Sequence, residues 1–224
     1  MCMRDTEMTQ VQKNIPEGTP DYWQNAKNYL SEVDPIMAKI IAHFANKNEQ
    51  VLHSKGDLFY TLANAIVGQQ ISAAAAAAIW GRVIEYCGGQ VTASLIRKAP
   101  FQELKDLGLS QRKVEYLQGT AQAMPKLLEF PWEAMNDQEV RETLCTLRGI
   151  GPWTAEMILI FTLLRPDILP LGDIGVIRAV ENQYNASNGL SKDQVAKIAE
   201  RWSPYRTVAV WYLWRTIDAE PVAY

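Results

Sequence analysis

The stretch Leu144-Cys145-Thr146-Leu147-Arg148-Gly149-Ile150-Gly151-Pro152-Trp153-Thr154-Ala155 has the residue types and spacing to hold a phosphate, and a lone carboxylate, Asp173, follows 20 residues after its Trp. Residues 139–147 read as a helix with Val140, Leu144 and Leu147 on one face. Gly149 and Gly151 permit a tight turn with left-handed backbone angles that a side chain would resist. Pro152 suits the first position of a new helix, where its missing N–H costs nothing. Trp153, Met157, Ile160, Phe161 and Leu164 then recur at helical spacing, which predicts a buried stripe ending before Pro166. The second helix therefore opens with unpaired N–H groups and the positive end of its dipole, an arrangement that binds an anion without a basic side chain. A glycine turn between two helices is also a common connector, and both readings stand on this pattern alone. Asp173 precedes Ile174-Gly175-Val176-Ile177, so it is placed to cap a helix as well as to act as an acid group.

Composition narrows the chemistry. The 224 residues suffice for one large domain or two small lobes, and the 48% hydrophobic content supports a real core. No apolar run approaches the ~18 residues of a membrane span. The opening Met1-Cys2-Met3-Arg4-Asp5-Thr6-Glu7 is too polar for a secretion signal, so a cytoplasmic or nucleoid location, or a nuclear one in a eukaryote, is expected. Residues 1–18 lack periodicity and are expected to form a loosely ordered arm. The cysteines Cys2, Cys87 and Cys145 lie far apart, which argues against a disulfide framework or a Cys-ligated zinc. An iron–sulfur cluster held by four cysteines is excluded. With His43 and His53 the only histidines, a metal site or nucleophile–histidine pair has little to draw on. The net charge of −3 argues against a general basic coat for nucleic acid. Residues 141–224 balance nine basic against nine acidic groups, while the first 140 hold 13 against 16. Any DNA binding must rest on backbone amides and a few placed cations.

The elements that must position these groups read as all-α. Residues 22–45 carry helical spacing with a break at Asp34-Pro35. A helix over 58–67 is interrupted by Gly68-Gln69-Gln70, and Ser72 can cap the next, whose six alanines favour helix and allow close packing against a neighbour. Gly88-Gly89 ends it. Further helices are predicted over 101–107, 111–130, 138–147, 152–164, 174–184, 192–202 and 205–217. No sustained period-2 alternation occurs.

Five blocks in order resemble one family: Ala65-Ile66-Val67-Gly68-Gln69-Gln70-Ile71-Ser72, Leu107-Gly108-Leu109-Ser110-Gln111-Arg112-Lys113, the hairpin from Leu147 to Ala155, Leu169-Pro170-Leu171-Gly172-Asp173-Ile174-Gly175-Val176, and Arg201-Trp202-Ser203-Pro204-Tyr205-Arg206 continuing to Trp214-Arg215. They resemble the helix-hairpin-helix (HhH-GPD) DNA glycosylases, in particular the AlkA-like 3-methyladenine branch. The resemblance spans roughly residues 20–217. It implies two helical lobes over 19–224 with the hairpin at about 139–164, in a compact form without the N-terminal β domain of the bacterial prototype.

The resemblance implies that Asp173 is the catalytic carboxylate, stabilising positive charge on the sugar as the C1′–N bond breaks. Where related glycosylase–lyases carry a Schiff-base Lys, this chain has Trp153, which implies a monofunctional enzyme that leaves an intact abasic site. Trp153, Trp214, Trp23 and Tyr22 would form an aromatic pocket for a flipped, cationic alkylpurine such as 3-methyladenine or 7-methylguanine, although any one Trp can equally be a core anchor. The prototype's Tyr residues are replaced by Met157 and Ile174, so the pocket is less aromatic. Gln70 matches the residue that wedges into the duplex; its plainer reading is a turn residue. Gly149, Gly151, Ser72 and Arg148 are implied DNA contacts, and Lys113, Arg112 and Arg206 are further phosphate candidates; for each of these four cations the plainer reading is a solvated surface charge. The carbonyls of Cys145, Leu147 and Ile150 match a sodium or potassium site, and no cofactor is otherwise required. A monomer acting on alkylated double-stranded DNA, with no membrane partner, is expected. Two other functions remain open: a non-catalytic DNA-structure binder on the same fold, against which Asp173, Trp153 and Trp214 count, and a glycosylase–lyase or mismatch adenine glycosylase, against which the missing Lys and cluster cysteines count.

Overall fold

The computed structural model describes residues 15–45, 50–184 and 189–218. Cys2 and most of the predicted arm lie outside the described residues. Of that arm, Ile15 is buried, and Glu17–Gly18 (β1) pairs with Ser54–Lys55 (β2) in a two-stranded ribbon. The rest of the described chain is helical. Its contacts divide it into two compact units: Ser54–Leu163 with the residues up to Glu17, and Gly18–His53 with the residues from Leu164 on.

The first unit holds α3 (Leu58–Gly68), α4 (Ala73–Tyr86), α5 (Ala93–Lys98), α6 (Phe101–Asp106), α7 (Gln111–Leu127), α8 (Asp137–Cys145) and α9 (Pro152–Phe161). Its centre is α3, buried from Leu58 to Val67 except Tyr60, with α4, α7 and α9 packed around it. Side-chain caps start most of these helices: Asp57, Ser72, Thr92 and Ser110 each accept from a backbone N–H three residues on, and Asn136 with Glu139 forms a capping box. The short α5 is absent from the sequence expectation, whereas the equally short α6 is present in it.

Three expectations change here. The alanines of α4 do not pack closely on a neighbour: Ala73, Ala74, Ala75, Ala77 and Ala78 are exposed, and the helix buries Trp80 and Val83 instead. Helix α9 is not a one-sided stripe. Thr154, Ala155, Ile158 and Leu159 are buried with Met157, Ile160 and Phe161, while Trp153 is only half-buried, because the helix is enclosed on nearly every side. It also ends at Phe161, earlier than predicted, where Leu164 takes a left-handed φ of 51°.

The second unit holds α1 (Trp23–Val33), α2 (Pro35–Ala45), α10 (Ile174–Gln183), α11 (Lys192–Ala199) with a 3-10 turn over Glu200–Trp202, and α12 (Arg206–Ile217). Helix α12 is its core, buried from Thr207 to Leu213, and packs on α1, α2 and α10. The predicted break at Asp34-Pro35 is present. Asp34, only 1% exposed, accepts from the N–H groups of Ile36 and Met37, from Trp202 Nε1 and from the Tyr184 hydroxyl. One carboxylate thus joins the junction of α1 and α2 to the end of α10 and to the 3-10 turn.

Candidate active site and DNA-contacting hairpin

In the first unit, α8 ends at Cys145 and the chain turns through Thr146 to Gly151 into α9. The Leu147 N–H donates to Leu144 O and the Ile150 N–H to Leu147 O, while buried Ile150 anchors the turn. Only Gly149 uses the left-handed region, at φ 88°. Gly151 has φ −107°, so its expected left-handed role is corrected: the backbone there is extended, and a Cβ would meet nothing within 4 Å. At Gly149 a Cβ would lie 2.2 Å from the Tyr116 ring. A Gly149→Ala variant combines left-handed strain with a collision against a packed ring, so it should cost about 2–4 kcal/mol in denaturant unfolding. Gly151→Ala should leave stability unchanged, and unfolding midpoints of the two variants check the contrast.

The hairpin is held from outside itself. Gln69 Nε2 donates to Gly149 O at 3.0 Å and to Thr154 Oγ1 at 2.9 Å. Sequence reading took Gln69 only as a helix interruption; its one signal is its position between Gly68 and Gln70. Gln70 itself is exposed and left-handed, at φ 57°. Lys113 Nζ donates to Val67 O at 2.7 Å, on the last turn of α3. Burial pushes its pKa below the ordinary lysine range. Its expected role as a phosphate contact is therefore replaced by one as a helix-end cap. Arg148 is 79% exposed and pairs with Glu115 at 3.1 Å, a weak bridge that a phosphate can displace. Ser72 caps α4 through the Ala75 N–H.

In the second unit, Asp173 caps α10. Its Oδ1 accepts from the Val176 N–H at 2.9 Å and from Trp214 Nε1 at 3.2 Å. Gly175 makes room for this: a Cβ there would stand 2.9 Å from the same oxygen and 3.5 Å from the Trp214 ring. Asp173 and Trp214 are both half-buried, and the neighbouring Ile174 is 64% exposed. Tyr22 is half-buried, stacks on Tyr205 with ring centroids 6.0 Å apart, and donates to Leu164 O. Burial raises its pKa. Trp23 and Met157, expected at a pocket, are instead core residues. Trp23 packs edge-on against Trp211 and beside Tyr212, and Met157 lies inside α9's buried surface. Arg206 is not available as expected for phosphate either, because it forms a two-pronged pair with Asp167 at 2.7 and 2.8 Å. That pair, with Ser203 also donating to Asp167, keeps the Asp167 carboxyl below its usual range despite burial pushing the other way.

One unit therefore presents a helix start after a glycine turn and an exposed, left-handed Gln70, and the other an oriented carboxylate beside an indole. Residues 63–204 match the model of the HhH-GPD superfamily base excision DNA repair proteins. The chain belongs to this family. It is 32% identical over 196 residues to the DNA-3-methyladenine glycosylase 1 of Schizosaccharomyces pombe, covering 85% of this chain and 86% of that protein. The solved structure of the 3-methyladenine DNA glycosylase of that yeast with abasic DNA matches at a TM-score of 0.79 and 30% identity, over 89% of this chain and 100% of that one. The YfjP protein of Bacillus subtilis is 36% identical over 127 residues, 55% of this chain, and the match spans only 44% of that relative's length. Among the described residues, no cluster of three or more His, Cys, Asp or Glu side chains could hold a metal, and no helix is long and apolar enough to cross a membrane.

Proposed function

We propose that the protein is a monofunctional DNA glycosylase of base excision repair that hydrolyses the N-glycosidic bond of flipped-out alkylated purines, 3-methyladenine and 7-methylguanine among them, and leaves an abasic site. The carrying observation is the Asp173 carboxylate, fixed by the Val176 N–H and the Trp214 indole at the start of α10. Relatives named as DNA-3-methyladenine glycosylases support the substrate class. Bond cleavage sends the C1′–N electron pair to the base, which departs neutral because alkylation had made it cationic. The sugar is left with positive charge, which a preorganised carboxylate stabilises. Water then adds to C1′ and gives up its proton to Asp173 or to solvent. Trp153 stands where a Schiff-base amine would be needed, so no covalent enzyme intermediate forms. An indole face attracts a cationic base by ~0.5–2 kcal/mol, and Trp214, half-buried beside Asp173, is the indole that the second unit offers.

The N-terminus of α9 takes a DNA phosphate, with Arg148 and Ser72 as further polar contacts and Gln70 entering the space of the flipped nucleotide. The carbonyls of Cys145, Leu147 and Ile150 line the turn from α8 into α9 and are neutral oxygen donors, Leu147 O accepting also from the Ile150 N–H, and such a donor set fits a hard monovalent cation. Such an ion would add positive charge next to the phosphate. The test is to incubate the protein with methylated duplex DNA and quantify released 3-methyladenine and 7-methylguanine together with intact abasic sites. Binding to the DNA without any released base would instead favour a non-catalytic DNA-structure binder.

A further inference from the structure

The glycosylase reading places Gln70 in the duplex, and the next question is what presents it there. Gln70 is exposed and carries a left-handed φ of 57° with no glycine to relieve it. A non-glycine residue in that region stays there only when its surroundings hold it. The surroundings are specific. Helix α3 ends at Gly68, with Lys113 Nζ on Val67 O fixing its last turn at 2.7 Å. The next side chain, Gln69, reaches back to the hairpin and donates both to Gly149 O at 3.0 Å and to Thr154 Oγ1 at 2.9 Å. Its two acceptors lie on either side of the start of α9, the proposed phosphate site.

We propose that Gln69 is a positioning residue that ties the wedge turn to the phosphate-binding hairpin, so that Gln70 enters the duplex in fixed register with the gripped phosphate. The inference rests on the reading of Gln70 as the wedge. Gly149 O can only accept, so the Gln69 amide can serve it and a carboxylate cannot. Gln69→Glu keeps size and shape but sets a negative charge against the Gly149 carbonyl. The bonds of the Gln69 amide run to Gly149 and Thr154, so its proposed effect is on how the turn that carries Gln70 is set against the hairpin.

The test compares a duplex carrying 3-methyladenine opposite thymine with the same strand opposite a tetrahydrofuran site, where no partner base opposes flipping. Gln69→Glu should slow single-turnover base release by about tenfold on the paired substrate, the scale of a lost part-buried hydrogen bond, and much less on the unpaired one. Gln70→Ala should show the same substrate dependence, and adding Gln69→Glu to it should cost little more, since residues acting in series are not additive. Thr154→Val removes one of the two acceptors and should give a smaller loss of the same kind. Equal losses on both substrates, or full additivity with Gln70→Ala, would overturn the proposal. A readout without chemistry separates this from the reading beneath it: 2-aminopurine placed opposite a tetrahydrofuran site in duplex DNA. Wild-type binding should change its fluorescence and saturating Gln69→Glu should not. An identical change in both proteins also overturns the positioning role, whereas wild type that changes the fluorescence yet releases no base refutes the glycosylase reading alone.

Discussion

Asp173→Asn should reduce single-turnover release of 3-methyladenine from duplex DNA by about 10²–10³-fold, with the unfolding midpoint and the affinity for abasic DNA nearly unchanged. The separation is possible because the observed cap and the proposed catalytic role of Asp173 differ in what they need. As the cap of α10 it must accept from the Val176 N–H, and Asn accepts there as well as Asp. As the charge-stabilising group it must be anionic, and Asn is not. The Trp214 indole can still donate to the amide oxygen, so the side chain keeps its orientation. Asp173→Ala would confuse the two roles, since it also loses about 1 kcal/mol of capping. Release by Asp173→Asn within about threefold of wild type, read as a free-energy difference, would remove Asp173 from the reaction.

Asp34→Ala should destabilise the protein by about 3–5 kcal/mol in urea unfolding at neutral pH, because it strands buried donors around the junction of α1 and α2. The Trp202 indole, the Tyr184 hydroxyl and the Ile36 and Met37 N–H groups all lose their acceptor. Burial alone would push the Asp34 carboxyl up; the bonds from Tyr184, Trp202, Ile36 and Met37 outweigh it and hold the group below its ordinary value. A carboxylate depressed in the folded state stabilises fully above its unfolded value of about 3.9, and that stability is lost as pH falls through the lower folded value. Wild type should therefore lose stability below about pH 4 with a component that Asp34→Asn lacks. Activity should fall with it only through folding, as Tyr184 closes the end of the helix that Asp173 begins. An Asp34→Ala protein as stable as wild type at pH 7 would refute this role.

What could be read in advance follows a physical division. Caps and breaks are local: Ser72 and Asp173 each satisfy an N–H three residues away, and Asp34-Pro35 interrupts a helix by its own backbone limits. The short α5 escaped although its Thr92 cap is equally local, because only Ile96 of its six residues is buried and so no repeating apolar face marks it. Part of the turn chemistry was misassigned. Gly149 and Gly151 look alike as letters, and only the approach of the Tyr116 ring and the path of the chain make one left-handed and the other extended.

The sequence by itself determined the helical class, the glycine hairpin, the order of the five blocks, and a Trp in place of a Lys at the start of α9, because each is a matter of residue type and short spacing. The tertiary structure alone decided which candidates face outward and which are used up. Trp23 and Met157 became core, Arg206 was taken by Asp167, Lys113 closed a helix end, and the alanines of α4 stayed open. It also decided that Gln69 reaches residues 80 and 85 positions away, and that Trp202 reaches Asp34 across 168. Hydrogen bonds of that range depend on how helices pack, and no local pattern encodes the packing.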